Sequence, residues 1–196
     1  IIMGTRIEKI ITKFPTLCDN TIHLCENVYI ADYTEGDKGT ENNRNVVISG
    51  EKPKDIDSFC MYNPNKIAID AIKFECDSFK DTDGKCLSQC ECIVLADCND
   101  GKEWVSFIEM KYCYPKNKRG NIIKASKQLE KTLLLFVESG ILDNTQNKYL
   151  FYSLPTVSPF AHFSDRTLIT RLKSQYNAIL RGVNDVKIVD RYKIDS

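Results

Sequence analysis

The chain has 196 residues, enough for one domain with a sizeable hydrophobic core, and its 27 Lys and Arg residues balance 27 Asp and Glu residues. Because these charges cancel, the net charge of the chain does not indicate any class of partner. No stretch is apolar for long enough to span a bilayer, and the start lacks the basic-then-apolar pattern of a signal peptide. We therefore expect a cytoplasmic protein without a membrane partner.

The first third of the chain predicts few regular elements. Apolar residues at helical spacing predict a helix over residues 5–13. Residues 24–33 fit a helix or a strand equally well, and the polar residues 34–44 predict a loop. Residues 46–49 predict a short strand, whereas residues 52–65 predict irregular chain.

Three strands are predicted next, and the last two form a hairpin. Residues 67–76 are strongly strand-like. Residues 87–112 contain two β-favouring apolar runs, which flank a turn sequence that ends at Gly101. The three strands therefore follow one another as a meander.

The length of the hairpin turn decides which side chains face each other. A two-residue turn would direct Glu91 to the opposite face of the sheet from Glu109. A three-residue turn, with Gly101 as the left-handed bulge residue, places Glu91 opposite Glu109. We prefer the three-residue turn because it also gathers the apolar residues of both strands. The apolar pairs that it creates are Ile93 with Phe107 and Leu95 with Val105.

Charged residues near the end of the second hairpin strand predict a site. Glu109 and Lys111 are two residues apart, so their side chains share one face of the sheet. With Glu91 beside Glu109, two carboxylates would repel each other unless a positive charge lies between them. A divalent cation with Lys111 beside it is the simplest solution. Asp97 has the same parity but lies near the turn, so we expect it to be a hairpin-end residue.

The rest of the chain predicts a long helix, a strand, a second helix and a final strand. The long helix is expected to begin near Gly120 or Asn121 and to end near Gly140. The remaining elements are a strand over residues 149–154, a helix from Ser164 or Asp165 to about Leu180 with Gly182 as its stop, and a strand from Asp185.

These features together resemble a known family. A carboxylate early in one strand, a hairpin, the sequence Glu109-Met110-Lys111 on the next strand, then a helix and a returning strand are similar to the PD-(D/E)XK nuclease superfamily. The resemblance implies an α/β fold: a mixed central sheet flanked by helices, with a restriction-endonuclease-like αβββαβ core and an extra C-terminal helix and strand. It implies one nuclease-like domain over residues 1–196. Its parts are an N-terminal helix and irregular region (1–66), the core (about 67–155) and the C-terminal helix and strand (156–196).

The resemblance also implies a reaction and the residues that perform it. Glu91, Glu109 and the backbone carbonyl of Met110 would bind Mg²⁺, or Mn²⁺ in its place. Lys111 would orient or deprotonate the attacking water, and Gln128 on the following helix would face the site. The implied function is a Mg²⁺-dependent phosphodiesterase, a DNA endonuclease or exonuclease, with defence or restriction as its setting.

The chain departs from the family pattern at the first carboxylate and after Gln128. Glu91 stands where Asp is usual, and no Pro precedes it. Thr132 stands where exonuclease-like members have Tyr four residues after the Gln. Asp70 on the preceding strand is the competing first carboxylate, and Glu8 on the first helix is a further candidate acid.

A basic stretch around the start of the long helix predicts a surface for DNA phosphates, with no sequence preference. We expect Lys124 and Lys131 to share a polar stripe on this helix with Gln128. The resemblance admits a homodimer, and also an unidentified protein partner. The predicted nucleic-acid-binding residues are Lys116, Lys118, Arg119, Lys124, Lys127 and Lys131.

Two other interpretations stay open. A module with the same fold that had lost catalysis would bind nucleic acid or regulate a partner. A zinc-binding protein would use clustered cysteines, but the cluster lacks a CxxC pair, so we prefer buried thiols. Cys90 and Cys92 are expected to share the face opposite Glu91. His23 and His162 have no second ligand or nucleophile near them in sequence, so both are expected to be structural. The clustered cysteines are Cys86, Cys90, Cys92 and Cys98.

Overall fold

Helices and strands alternate through the part of the chain that the computed structural model describes, residues 5–33, 45–97, 101–157 and 165–196. The α-helices are α1 (Arg6–Lys13), α2 (Lys118–Glu138) and α3 (Arg166–Tyr176). The strands are β1 (Thr21–Leu24), β2 (Val28–Asp32), β3 (Val46–Ser49), β4 (Phe59–Tyr62), β5 (Ile69–Lys73), β6 (Cys92–Ala96), β7 (Val105–Met110), β8 (Lys148–Ser153), β9 (Ala178–Gly182), β10 (Asp185–Ile188) and β11 (Ile194–Asp195). Short 3₁₀ turns cover Pro15–Asn20 and Pro115–Asn117.

The first sheet has the order β1-β5-β6-β7-β8-β9. Its strands are antiparallel from β1 to β7, and β7, β8 and β9 are parallel. Helix α2 connects β7 to β8 and packs against both strands, as a crossover between parallel neighbours requires. The predicted meander and the returning strand are therefore confirmed as parts of one mixed sheet. The predicted helix is confirmed as the connection between β7 and β8.

The predicted hairpin register is confirmed for its two apolar pairs, whereas the predicted pair of Glu91 and Glu109 lies beyond the start of β6. Ile93 lies opposite Phe107, and Leu95 lies opposite Val105. Gly101 has a φ of +76°, the left-handed conformation that the three-residue turn requires. The other two residues of the predicted turn, 99 and 100, lie outside the described ranges.

A different hydrophobic core lies on each face of the first sheet. On one face, Leu95 and Phe107 pack with apolar residues of α1, α2 and α3. On the other face, Val94 and Ile108 pack with residues of the second sheet. The described molecule therefore has three layers: helices, the first mixed sheet and the second sheet. The predicted mixed α/β class with helices against a central sheet is confirmed, and a second sheet covers the remaining face.

The sequence did not predict a second sheet, although the predicted strand at residues 46–49 is confirmed as its strand β3. It has the order β11-β10-β4-β2-β3, with β4 and β10 parallel and the other pairs antiparallel. Residues 52–65 were expected to be irregular, but they contain β4, which has four residues and no clear alternation. The final predicted strand also belongs here, as β10, and not to the first sheet. Strands this short carry little periodicity, so tertiary pairing defines them.

The predicted C-terminal helix is too long. It begins at the expected cap, Asp165, whose side chain accepts a hydrogen bond from the Leu168 N–H, but it ends at Tyr176. Asn177 then takes a left-handed conformation with a φ of +49°, which ends helices. The residues after it form β9 at the edge of the first sheet and not a last helical turn.

The long helix starts earlier than expected, at Lys118, and Gly140 follows its end with a φ of +75°. The first helix is confirmed, and Thr5 and Glu8 form a capping box at its start. Residues 34–44, predicted as a loop, lie outside the described ranges. No helix among the described residues is both long enough and apolar enough to cross a membrane.

Candidate active site

Glu109 and Lys111 meet at the end of β7. Phe107 faces the helices and Met110 faces the second sheet, so alternation places Glu109 on the helix side. Glu109 is fully buried, and Lys111 Nζ forms an ion pair with Glu109 Oε1. The Lys111 side chain is 13% exposed, so it is the part of this pair that reaches the surface. The predicted common face of the two residues agrees with this contact.

Glu91 lies beside this pair, immediately before β6. It is buried, and its N–H donates to the carbonyl of Ile108 at 3.0 Å. Its own carbonyl accepts the N–H of Phe74 at 2.9 Å. A regular continuation of the ladder would pair Glu91 with Glu109, so the bond to Ile108 marks an irregularity of one residue at the strand start.

The same irregularity corrects one prediction about the cysteines. Cys90 belongs to the core under the helices, whereas Cys92 belongs to the core between the sheets. The two thiols therefore do not share a face, because strict alternation breaks at Glu91. Burial raises the pKa of the Cys92 thiol well above its usual value, and the charges of Cys90, Glu91 and Glu109 raise it further. Both carboxylates thus lie within electrostatic range of one buried thiol.

Helix α2 holds the segment that precedes Glu91. Gln128 Nε2 donates to the carbonyl of Gln89 at 2.9 Å, and Thr132 Oγ1 accepts the N–H of Cys90 at 2.9 Å. Gln128 is only 5% exposed, whereas Lys124 and Lys131 of the predicted polar stripe are exposed. Gln128 Oε1 is buried without a hydrogen-bond partner among the described residues. An acceptor is therefore available close to the start of β6.

The donor set suits a hard cation. Within the described ranges, no three His, Cys, Asp or Glu side chains gather in a way that could hold a metal ion. The candidate ligands predicted from the sequence are two carboxylates, Glu91 and Glu109, and the Met110 carbonyl. Oxygen ligands of this kind, completed by water, fit Mg²⁺. The Met110 side chain itself is buried in the core between the sheets.

The two further acids proposed from the sequence lie elsewhere. Glu8 is exposed and accepts the Thr5 N–H at 2.7 Å, so it caps α1. Asp70 lies opposite Leu95 on β6. Leu95 is four residues from Glu91, which is roughly 13 Å along the strand. Its carboxylate contacts His23 Nδ1. Burial raises the pKa of Asp70, the His23 hydrogen bond and charge lower it, and the charge of Asp97 adds to the rise. His162 lies outside the described residues.

A second buried charged cluster, not expected from the sequence, lies at the opposite end of the parallel strands. Arg6 pairs with Glu103 at 3.7 Å, and both side chains are buried. Lys148, at the start of β8, is also buried and donates to the carbonyls of Gln146 (3.1 Å) and Tyr176 (2.8 Å). The signal available in the sequence was that Glu103 and Lys148 each stand immediately before an apolar run.

Five of the six basic residues line two different clefts. Lys116, Lys118, Arg119 and Lys127 line a groove between α2 and α3. Lys131 lines a separate cleft of about 280 Å³ beside Gln89 and Thr132. Lys124 is exposed and lines neither.

The cysteines of the zinc interpretation differ in burial. Cys90 and Cys92 are buried, and Cys86 is exposed; Cys98 lies outside the described ranges. The expected buried thiols are therefore found at two of the described positions.

Comparison of the chain with protein-family models, curated proteins and solved structures found no match.

Proposed function

We propose that the protein is a Mg²⁺-dependent phosphodiesterase of the PD-(D/E)XK type that cleaves DNA. The observation that carries the proposal is the grouping at the end of β7: Glu109 and Lys111 form a buried ion pair, and the backbone of Glu91 is bonded to the same strand. Charged side chains are rarely buried without a partner or an ion.

The topology supports the same proposal. Three antiparallel strands (β5, β6 and β7) are followed by α2 and the parallel strand β8, the element order that the family resemblance implies. In this arrangement the crossover helix brings Gln128 against the segment before β6. The second sheet and β9 are additions to this core.

Each residue has a defined part in the proposed reaction. Glu91, Glu109 and the Met110 carbonyl would hold Mg²⁺, which when bound polarises the scissile phosphate and stabilises the leaving oxygen. Lys111, the partly exposed member of the pair, binds and orients the attacking water and exchanges a proton at Nζ. Gln128 Oε1 accepts a hydrogen bond from that water or from the substrate.

Cleavage of a plasmid and of labelled oligonucleotides with Mg²⁺ or Mn²⁺ tests the proposal. Lys111→Ala and Glu109→Gln are expected to lower the rate by at least about 100-fold, the usual scale for a lost acid–base or charge-stabilising group. Lys193→Ala is the matched control, since Lys193 also pairs with a carboxylate two residues away, Asp195, but on the second sheet. Unchanged cleavage by Lys111→Ala would reject the mechanism.

A binding module without turnover is the second candidate function. It is favoured by the complete burial of Glu109 and by its contact with Lys111 Nζ, which occupies the carboxylate. This candidate predicts salt-sensitive DNA binding with no cleavage in either Mg²⁺ or Mn²⁺.

A further inference from the structure

A groove of about 1040 Å³ runs between α2 and α3. Its α2 wall consists of residues three and four apart, from Arg119 to Glu130, which share one side of the helix. Its floor is apolar: Ile122 and Leu168 are nearly buried, and Ile123 is 39% exposed. The groove thus joins a hydrophobic base to polar rims.

The rims are basic. Five cationic side chains and two carboxylates line the groove, a local net charge of +3. One carboxylate, Asp165, caps α3, and the other, Glu130, pairs with Arg171. Both acids are therefore engaged within the protein. The cationic residues are Lys116, Lys118, Arg119, Lys127 and Arg171.

The start of α2 and one buried hydroxyl also indicate an anionic ligand. The N-cap residue Asn117 makes no side-chain capping bond, and the first turn carries Lys118 and Arg119 but no acid. Cations at this end of a helix oppose its dipole, and an anion there would compensate. Ser126 lines the groove at 1% exposure, and its Oγ has no hydrogen-bond partner in the described part of the chain.

We propose that the α2–α3 groove binds a single strand of nucleic acid, with phosphates along the basic rims and bases against the apolar floor. The inference rests on the proposed action on nucleic acid and adds the form of the substrate. In a duplex the bases are stacked inside and cannot reach such a floor, whereas an unpaired strand presents both its charge and its base faces. Tyr114, 75% exposed and adjacent to Pro115 of the groove lining, supplies a ring for stacking.

Fluorescence anisotropy tests this strand binding. The labelled probes are single-stranded DNA, single-stranded RNA and duplex DNA of one length, and the buffer contains EDTA so that metal-dependent cleavage cannot interfere. The better single strand should bind at least about tenfold more tightly than the duplex, and the comparison of DNA with RNA identifies its source. Arg119→Ala/Lys127→Ala should weaken this binding about tenfold and lower the salt slope by about 1.4, since each phosphate contact on a single strand contributes about 0.7.

Two matched controls make the test specific. Lys54→Ala/Lys187→Ala removes the same charge at two exposed positions outside the groove lining and off α2, and should change affinity less than about twofold. Tyr114→Ala should weaken binding, whereas Tyr62→Ala, which removes a ring that is 47% exposed on the second sheet, should not. Thermal unfolding of each variant establishes that it is folded.

Equal or tighter duplex binding, or an equal loss of affinity in the control double variant, would overturn the groove assignment. The result of this binding test does not depend on the result of the cleavage test. Groove binding that persists in Glu109→Gln, without cleavage by the wild type, would remove only the catalytic proposal. Normal cleavage and normal strand binding by Arg119→Ala/Lys127→Ala would remove only the groove.

Discussion

Lys148 shows how one buried charge affects the stability of this fold. Its ammonium is fully buried and donates to the carbonyl of Tyr176, the last residue of α3, and to that of Gln146. Burial lowers the pKa of Lys148 from 10.5 to about 8; Asp143 opposes this shift, and Arg6 and Lys173 add to it. The amine therefore stabilises the end of α3 but is costly to keep charged.

A pH dependence of stability follows from this pKa. Between pH 8 and 10.5 the unfolded chain keeps a proton on Lys148 that the folded chain has released, so raising the pH over this window favours folding. We expect the difference in unfolding free energy, wild type minus Lys148→Met, to rise by about 1 to 3 kcal/mol from pH 8 to pH 10. Urea denaturation under reducing conditions at several pH values measures it. A difference that stays constant with pH would contradict the prediction, because lost hydrogen bonds alone give a fixed offset.

Residue-level prediction from sequence succeeded where a local constraint was strong. Gly101 and the apolar pairs set the hairpin register, which fixed the faces of Glu109 and Phe107. The sequence did not indicate that Gln128 donates to the Gln89 carbonyl, because helix spacing carries no information about a neighbouring backbone. Glu91 lies at an irregular strand start, where alternation no longer determines side-chain direction.

At the scale of elements, β9 depends on a close approach to its neighbour. Gly182, at its end, lies against the ring of Tyr152 on β8, and a Cβ at this position would overlap the ring. The Val183 N–H also donates to the Tyr152 carbonyl at 3.1 Å, so the backbone cannot move away freely. Gly182 was interpreted as the stop of a helix, but its role is to admit this ring.

Substitution of two glycines by alanine tests that account. Gly182→Ala should lower the free energy of unfolding by about 1 to 3 kcal/mol through overpacking. Gly120→Ala, within α2, meets no heavy atom within 4 Å, so it should raise stability by roughly 0.5–1 kcal/mol through helix propensity. Chemical denaturation of both variants measures the two values. A neutral effect of Gly182→Ala would show that Tyr152 can turn aside without cost.

Long elements with clear patterns were predicted correctly, whereas two of the short strands, β4 and β9, were not. Helix α2 and the hairpin strands carry enough periodicity to be recognised from sequence. Strand β4 and strand β9 have four and five residues and form because partners are in place. The left-handed Asn177, which separates α3 from β9, was an available but weak signal.

At the scale of the whole molecule, the second sheet changes the surroundings of the proposed site. It covers the face of the first sheet opposite the helices, so the core on that side is closed and any substrate must approach from the helix side or the strand ends. Lys111, at the strand end, and the α2–α3 groove, on the helix layer, both lie where that approach remains open. The sequence could not predict this closure, because the strands of the second sheet come from two distant parts of the chain, residues 28–62 and residues 185–195.

The most direct test of the central claim is a crystal structure with Mn²⁺, in which anomalous scattering locates the ion. We expect one peak between the carboxylates of Glu91 and Glu109, at about 2.1 Å from their oxygens, with Lys111 Nζ beside it. A Glu91 carboxylate directed into the core between the sheets, with no ion at Glu109, would contradict the proposed metal site and with it the nuclease mechanism.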